Sequence, residues 1–186
     1  MPDIIQFSAP IELQAASDQS KPVRISIRAY TGDAMNVPGF GPTVIDLPGL
    51  DVSHPVQILA EHRDSIDGLL GTGQASTNGR ELNVNGVLSR ANDLTERIVA
   101  MLKDGVSFAA SVGVQPLERE IIREGQTVSA NGRTITAPRG GMVYVRRGVL
   151  RETSLVAIGA DASASVAIAA SAKHRLKGTR QMTESE

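Results

Sequence analysis

Cysteine is absent from the 186 residues of the chain, and tryptophan is absent as well. Without cysteine the protein can form no disulfide, no thiolate metal site and no cysteine nucleophile, and a reducing compartment suits it. Aromatic residues make up only 3% of the sequence. We therefore expect a core built from Val, Ile, Leu and Ala.

Long apolar runs and a surplus of either charge are also missing. No run approaches the ~18–20 apolar residues that span a bilayer, and the start, "MPDIIQFSAP", lacks the pattern of a secretory signal. The formal net charge is -1, so no overall field would attract nucleic acid or an anionic membrane. We expect a soluble, cytoplasmic protein that binds neither.

Short alternating segments predominate in what remains. In "VRISIRAYTG", Val23, Ile25, Ile27 and Ala29 share one face, which predicts a half-buried strand. Strands are also predicted in "PIELQAA", "TVIDL" and "VQILAEHRD", and a hairpin in "DGLLGTGQASTNGRELNVNGVLS". Many short strands with few helices favour a mainly β (α+β) fold, closed or nearly closed into a barrel.

One segment has helical periodicity, at about 92–104. Asn92 is the predicted N-cap and Gly105 the predicted stop. The apolar side is predicted to hold Leu94, Ile98, Met101 and Leu102. We expect a single domain over 1–160, with a protruding hairpin at about 117–141, followed by an Ala/Ser-rich and then basic polar tail over 161–186.

The segment "GVSFAASVGV", Gly105 to Val114, has two faces of unequal bulk if it is extended. Phe108, Ala110, Val112 and Val114 lie on one face, and Ser107, Ala109, Ser111 and Gly113 on the other. The first face suits the core. The second leaves room beside Ser111, so we expect a substrate backbone there, with Gly113 kept small to admit it.

Catalysis by a hydroxyl needs a base and a group that orients the base. The histidines are His54 in a Pro-flanked loop, His62 after an apolar run, and His174 in the basic tail. The acid candidates are Glu152, which begins a strand-like run, and Glu61 and Asp64 beside His62. No metal-ligand or phosphate-loop spacing occurs, so we expect no metal and no cofactor.

Three stretches occur in a characteristic order: "PVQILAEHRDSIDGLLGTG", "IVAMLKDGVSFAASVGV" and "LRETSLVAIGADASASVAI". A histidine follows an apolar strand, a helix leads directly into an S-x-G strand, and an E-x-S-L-V strand comes last. Over roughly 23–168 this order resembles the capsid maturation (prohead) proteases of tailed bacteriophages. The resemblance implies a serine endopeptidase with an assemblin-like β-barrel, related in fold to the herpesvirus assemblins.

The resemblance also implies a role for each residue. Ser111 would be the nucleophile, His62 the general base and Glu152 the acid that orients the imidazole, while Ser107 remains a second candidate serine. Many members carry an aromatic or apolar residue after S-x-G; here it is Val114. The candidates for stabilising the oxyanion are backbone N–H groups and the side chains of Arg146, Arg147 and Arg151.

The implied substrates are phage scaffold and major capsid proteins, cleaved in the host cytoplasm inside the assembling procapsid. Extended peptides would bind by strand addition at a barrel edge. The Ala/Ser-rich segment is expected to be either a site of self-cleavage or a short link to a scaffold segment, and a homo-oligomer is a further expectation. The alternative that the sequence leaves open is a non-catalytic β-barrel that serves as a capsid structural or decoration protein.

Overall fold

The computed structural model describes residues 22–158 in full and the backbone of two further strands at 5–14 and 167–168. In this part of the chain the fold is mainly β with one α-helix, as predicted. The strands are β1 (Ile5–Gln14), β2 (Val23–Tyr30), β3 (Met35–Val37), β4 (Gly41–Ile45), β5 (Leu50–Asp51), β6 (Val56–Ala60), β7 (Leu69–Thr77), β8 (Leu82–Leu88), β9 (Ala109–Ile122), β10 (Thr127–Ala130), β11 (Arg133–Thr136), β12 (Met142–Val156) and β13 (Ala167–Ile168).

The main sheet has the strand order β13-β1-β2-β8-β7-β6-β12-β4-β3. β9 lies off this path and pairs with both β1 and β12, and β5 also pairs with β12. β10 and β11 form a separate two-stranded sheet. β12 therefore has several partners: it is parallel to β4, β5 and β6 and antiparallel to β9.

The predicted packing faces of β2 and β9 are both buried, but burial alternates only along β2, since residues 110–114 of β9 are all buried. In β2, Val23, Ile25, Ile27 and Ala29 are all buried, whereas Arg24 and Arg28 are exposed. In β9, Ala110, Val112 and Val114 are fully buried in the main core. The strand begins at Ala109 rather than at Gly105 as predicted, so residues 105–108 of the predicted strand lie outside any strand.

The helix α1 (Asp93–Lys103) confirms the predicted segment and its cap. The Asn92 side chain accepts a hydrogen bond from the Leu94 N–H at 2.9 Å, which satisfies one of the unpaired donors of the first turn. Ile98 and Leu102 are buried as predicted. Val99 is buried too, while the predicted Met101 is 39% exposed.

The β10–β11 hairpin lies within the segment 117–141 that is predicted to protrude, and the turn at its tip is bound to residues of β4 and the neighbouring loops. Asn131, which has a left-handed φ of 55°, is 3% exposed. Its amide nitrogen donates to the carbonyls of Gly32 at 2.9 Å and Ile45 at 2.8 Å. Its Oδ1 accepts from the Leu47 N–H at 2.8 Å. The first part of the predicted hairpin, 117–122, belongs instead to β9, which pairs there with β12.

The predicted tail, 161–186, lies outside the described residues except for β13. The backbone of β13 pairs with β1 in parallel, with Glu12 opposite Ala167. In the described residues there is no helix with the length and apolarity that a membrane crossing requires.

Candidate active site

A tight turn at the end of β6 carries His62. Glu61 and His62 both have left-handed backbones, with φ of 51° and 55°, a conformation that histidine adopts more readily than most residues. The turn is tied to β12 by two hydrogen bonds. The Glu61 N–H donates to the Leu155 carbonyl at 2.9 Å, and the His62 N–H donates to Ser154 Oγ at 3.2 Å.

The candidate acid and base are in direct contact. His62 Nδ1 and Glu152 Oε1 are 2.9 Å apart, and the two side chains are only 18% and 12% exposed. A carboxylate can only accept a hydrogen bond, so Nδ1 is the ring nitrogen that donates to Glu152. In the neutral ring this contact selects the tautomer whose lone pair is on Nε2, which is the form that a general base requires. Glu152 thus fixes both the orientation and the tautomer of His62.

Ser154 is hydrogen-bonded to both the candidate acid and the candidate base. Its hydroxyl donates to Glu152 Oε2 at 2.6 Å and accepts from the His62 N–H at 3.2 Å. The side chain is fully buried. Because its only proton is given to the carboxylate, Ser154 is a positioning group rather than a nucleophile. The sequence contained this serine in the E-x-S-L-V stretch, but nothing in the pattern assigned it that role.

The register of β9 against β12 brings Ser111 to the same face. Ser111 lies directly opposite Ser154, and Gly113 directly opposite Glu152. Residues two apart on a strand point to one side, so all four positions share a face. Ser111 is 3% exposed. Within residues 22–158 no hydrogen bond joins its hydroxyl to His62, and such bonds are often long without substrate and tighten when it binds.

The space above Gly113 is occupied, which corrects the expectation of room for a substrate backbone. A Cβ built on Gly113 would lie 2.5 Å from Glu152 Oε1 and 3.0 Å from its Cγ. The carboxylate therefore lies across β9, where any side chain would displace it. Oε1 is the same oxygen that contacts His62 Nδ1. Gly113, the glycine of the S-x-G stretch, has no side chain because Glu152 occupies the space that a side chain would need.

The other candidate acids and bases lie apart from this cluster. Glu61 Oε1 accepts from the Ala157 N–H at 2.8 Å, and Asp64 is exposed. His54 is exposed in the loop before β6, and His174 lies outside the described residues. Ser107 is exposed in the irregular chain before β9 and is not on the strand that carries Ser111.

The three arginines proposed for the oxyanion are all exposed residues of β12. Arg146 is committed elsewhere, since its guanidinium donates to Glu120 Oε1 at 2.8 Å. In residues 22–158, Arg147 and Arg151 form no ion pair. Arg151 directly precedes Glu152 at an irregularity in the β9–β12 pairing, so it is the arginine closest in sequence to the acid.

The comparisons with known proteins identify no relative. No family model matches the chain, and neither the curated proteins nor the solved structures contain a match. The function must therefore be inferred from the geometry of the site itself.

Proposed function

We propose that the protein is a serine endopeptidase of the prohead protease type, with Ser111 as nucleophile, His62 as general base and Glu152 as orienting acid. The contact between His62 Nδ1 and Glu152 Oε1 at 2.9 Å carries the proposal. A half-buried histidine with one nitrogen held by a half-buried carboxylate has the arrangement expected of the base–acid half of a catalytic triad. Ser111 shares the same face of the sheet, one strand away.

The chemistry follows from the protonation states. Ser111 Oγ attacks the scissile carbonyl carbon, and its proton passes to His62 Nε2. The imidazolium is stabilised by Glu152 and returns the proton to the leaving amine. Water then enters as the second nucleophile and hydrolyses the acyl-enzyme by the same proton transfers. Backbone N–H groups, or Arg147 or Arg151, would stabilise the oxyanion.

The fold proposal is an assemblin-like barrel. It is supported by the pairings β1–β2–β8–β7–β6–β12–β9 and by the pairing of β9 back onto β1. The order of the histidine, S-x-G and E-x-S-L-V stretches along the chain supports a role in capsid maturation. The substrates would then be scaffold and major capsid proteins, cleaved in the host cytoplasm within a procapsid.

A fluorophosphonate probe tests the nucleophile without knowledge of the substrate. If the site activates Ser111, its Oγ attacks the phosphorus, fluoride leaves and the proton passes to His62. Mass spectrometry should find the label on Ser111 in the wild-type protein and none at that position in Ser111→Ala. In His62→Asn, which suits the left-handed backbone, labelling should be about 10²-fold or more slower.

Ser107→Ala is the matched control, because it removes a second serine only four residues away. It should be labelled at the wild-type rate. Equal labelling of wild type and His62→Asn would remove the proposed base. No labelling of Ser111 at all, together with an intact scaffold protein after co-expression, would favour the alternative of a non-catalytic capsid protein. The low exposure of Ser111, 3%, is the observation on which that alternative rests.

A further inference from the structure

A groove of about 1110 Å³ opens over strands β6, β7 and β8 and the start of α1. His62 and Glu152 are not among its lining residues, but Arg63, which directly follows His62, is. The turn that carries His62 also supplies a wall of this groove, through Arg63 and Ile66. Its volume is above that of an ordinary small-molecule pocket, which is ~300–1,000 Å³.

One row of paired residues joins the groove to the proposed nucleophile. Leu69, Leu59, Ser154 and Ser111 are successive register partners across β7, β6, β12 and β9. Paired residues share a face, and neighbouring strands are about 4.8 Å apart. Leu69, which lines the groove, is therefore about 14 Å from Ser111 along this row, a length that about four residues of extended peptide cover.

Apolar side chains line the groove without being covered. Ile66 is 88% exposed, Leu69 38% and Val87 40%, and all three line the same cavity. Each belongs to a different element: the 3-10 helix Ile66–Gly68, β7 and β8. An apolar side chain placed among them would lose its contact with water and gain about tenfold or more in affinity.

The charged residues of the groove favour a peptide over a polyanion. Arg63 and Arg97 are exposed, and so are Asp67 and Asp93. None of the four takes part in an ion pair within residues 22–158. A third arginine of the lining, Arg90, is paired with Glu96. A surface with both signs of charge offers donors and acceptors to a peptide backbone, whereas nucleic acid would require an excess of positive charge.

We infer that this groove binds the protein substrate as an extended peptide and selects an apolar side chain within about four residues of the scissile bond. The inference rests on the proposed function for the identity of the scissile bond. It places substrate recognition on the face of β6–β8, and not by strand addition at a free edge. The selecting residues are Ile66, Leu69 and Val87.

Two pools of quenched-fluorescent decapeptides test the inference. One pool is of mixed sequence, and the other omits Leu, Ile, Val, Met and Phe. Wild type should cleave the mixed pool about tenfold or more faster, and the products should have an apolar residue within four positions of the cut. Ile66→Asp and Val87→Thr should bring the ratio of the two rates towards one. Ile121→Asp is the matched control, since Ile121 is 69% exposed on β9 outside this groove.

Binding of the same pools, labelled with fluorescein, to Ser111→Ala separates the two proposals. If wild type cleaves neither pool but Ser111→Ala binds the mixed pool through Ile66 and Val87, the groove is supported and the protease proposal is overturned. If wild type cleaves both pools equally, or the groove variants keep the wild-type ratio, the groove is overturned and the protease stands. Circular dichroism of each variant ensures that folded proteins are compared, and a loss of ratio in Ile121→Asp would also overturn the groove.

Discussion

Replacing Gly113 with alanine places one methyl carbon where Glu152 now lies. The new Cβ would be 2.5 Å from Oε1, 3.0 Å from Cγ and 3.1 Å from Cδ of the glutamate. Carbon and oxygen atoms in ordinary contact are about 3.5 Å apart, so the carboxylate must retreat by about 1 Å. Gly113 is paired with β12 on one side and β1 on the other, so its backbone has little freedom to yield.

The displaced oxygen is the one that contacts His62, the proposed base. Oε1 lies 2.9 Å from His62 Nδ1, and a retreat of 1 Å stretches that contact beyond hydrogen-bond range. A misplacement of this size costs about 10²-fold in rate, which is about 2.7 kcal/mol of transition-state stabilisation. The rate of Ser111 labelling and kcat should fall by this factor, while KM changes little because no groove residue is altered.

A double-mutant cycle with Glu152→Ala tests the mechanism. If Gly113 acts only through the glutamate, Gly113→Ala should slow labelling by about 10²-fold in the wild-type background but by less than about threefold when Glu152 is already alanine. Nitrogen NMR of His62 gives an independent readout, because the protonated nitrogen should no longer be confined to Nδ1. A wild-type rate in Gly113→Ala, or the same loss in both backgrounds, would refute the reasoning.

Three further variants separate the site from the scaffold that carries it. Ser154→Ala removes the donor to Glu152 Oε2 and the acceptor for the His62 N–H, and it should lower the free energy of unfolding by about 1–3 kcal/mol and slow labelling by about tenfold; an unchanged rate would deny it a positioning role. Asn131→Ala should cost about 3 kcal/mol in urea unfolding, because three buried backbone groups lose their partner, yet it should keep the labelling rate of the folded protein. Burial raises the pKa of the Asp46 carboxyl, against the lowering effects of Tyr144 and Arg146, so its contribution favours the folded state in acid and is lost as pH rises through the folded pKa. Urea unfolding between pH 3 and 7 should show the free energy of unfolding of the wild-type protein falling relative to that of Asp46→Asn as the pH rises. A constant difference between the two proteins across this range would contradict the prediction.

Local periodicity was sufficient to predict much of the fold. The alternation in β2, the hairpin of β7 and β8 and the Asn92 cap of α1 depend on residues close together in sequence, and such patterns are visible without tertiary information. The same holds for the packing face of β9, whose Ala110, Val112 and Val114 are buried. The error at 105–108 is of the same local kind, since an alternating pattern does not tell where pairing begins.

The role of Gly113 could not be derived in this way. Its small size is visible in the sequence, but the atom that fills the space above it belongs to Glu152, on another strand. Ser154 has the same difficulty, because one of its two hydrogen-bond partners, the His62 N–H, reaches it only once the end of β6 lies against β12. The parallel pairing of β12 with β4, β5 and β6 has no local signal, and neither has the attachment of the Asn131 turn to residues near Gly32 and Leu47.

The central position of β12 governs when the site can exist during synthesis. His62 and Glu152 are 90 residues apart, and β6 pairs directly with β12, so the two side chains cannot meet until β12 has been synthesised. Contacts of such long sequence separation carry a large loop-closure cost and form late. A nascent chain that has reached β11 already contains His62 and Ser111. It still lacks Glu152 and also Ser154, whose hydroxyl donates to the Glu152 carboxylate. The proposed reactive centre can therefore be completed only after β12 has been synthesised, and we expect a ribosome-bound or truncated chain ending before β12 to be inert.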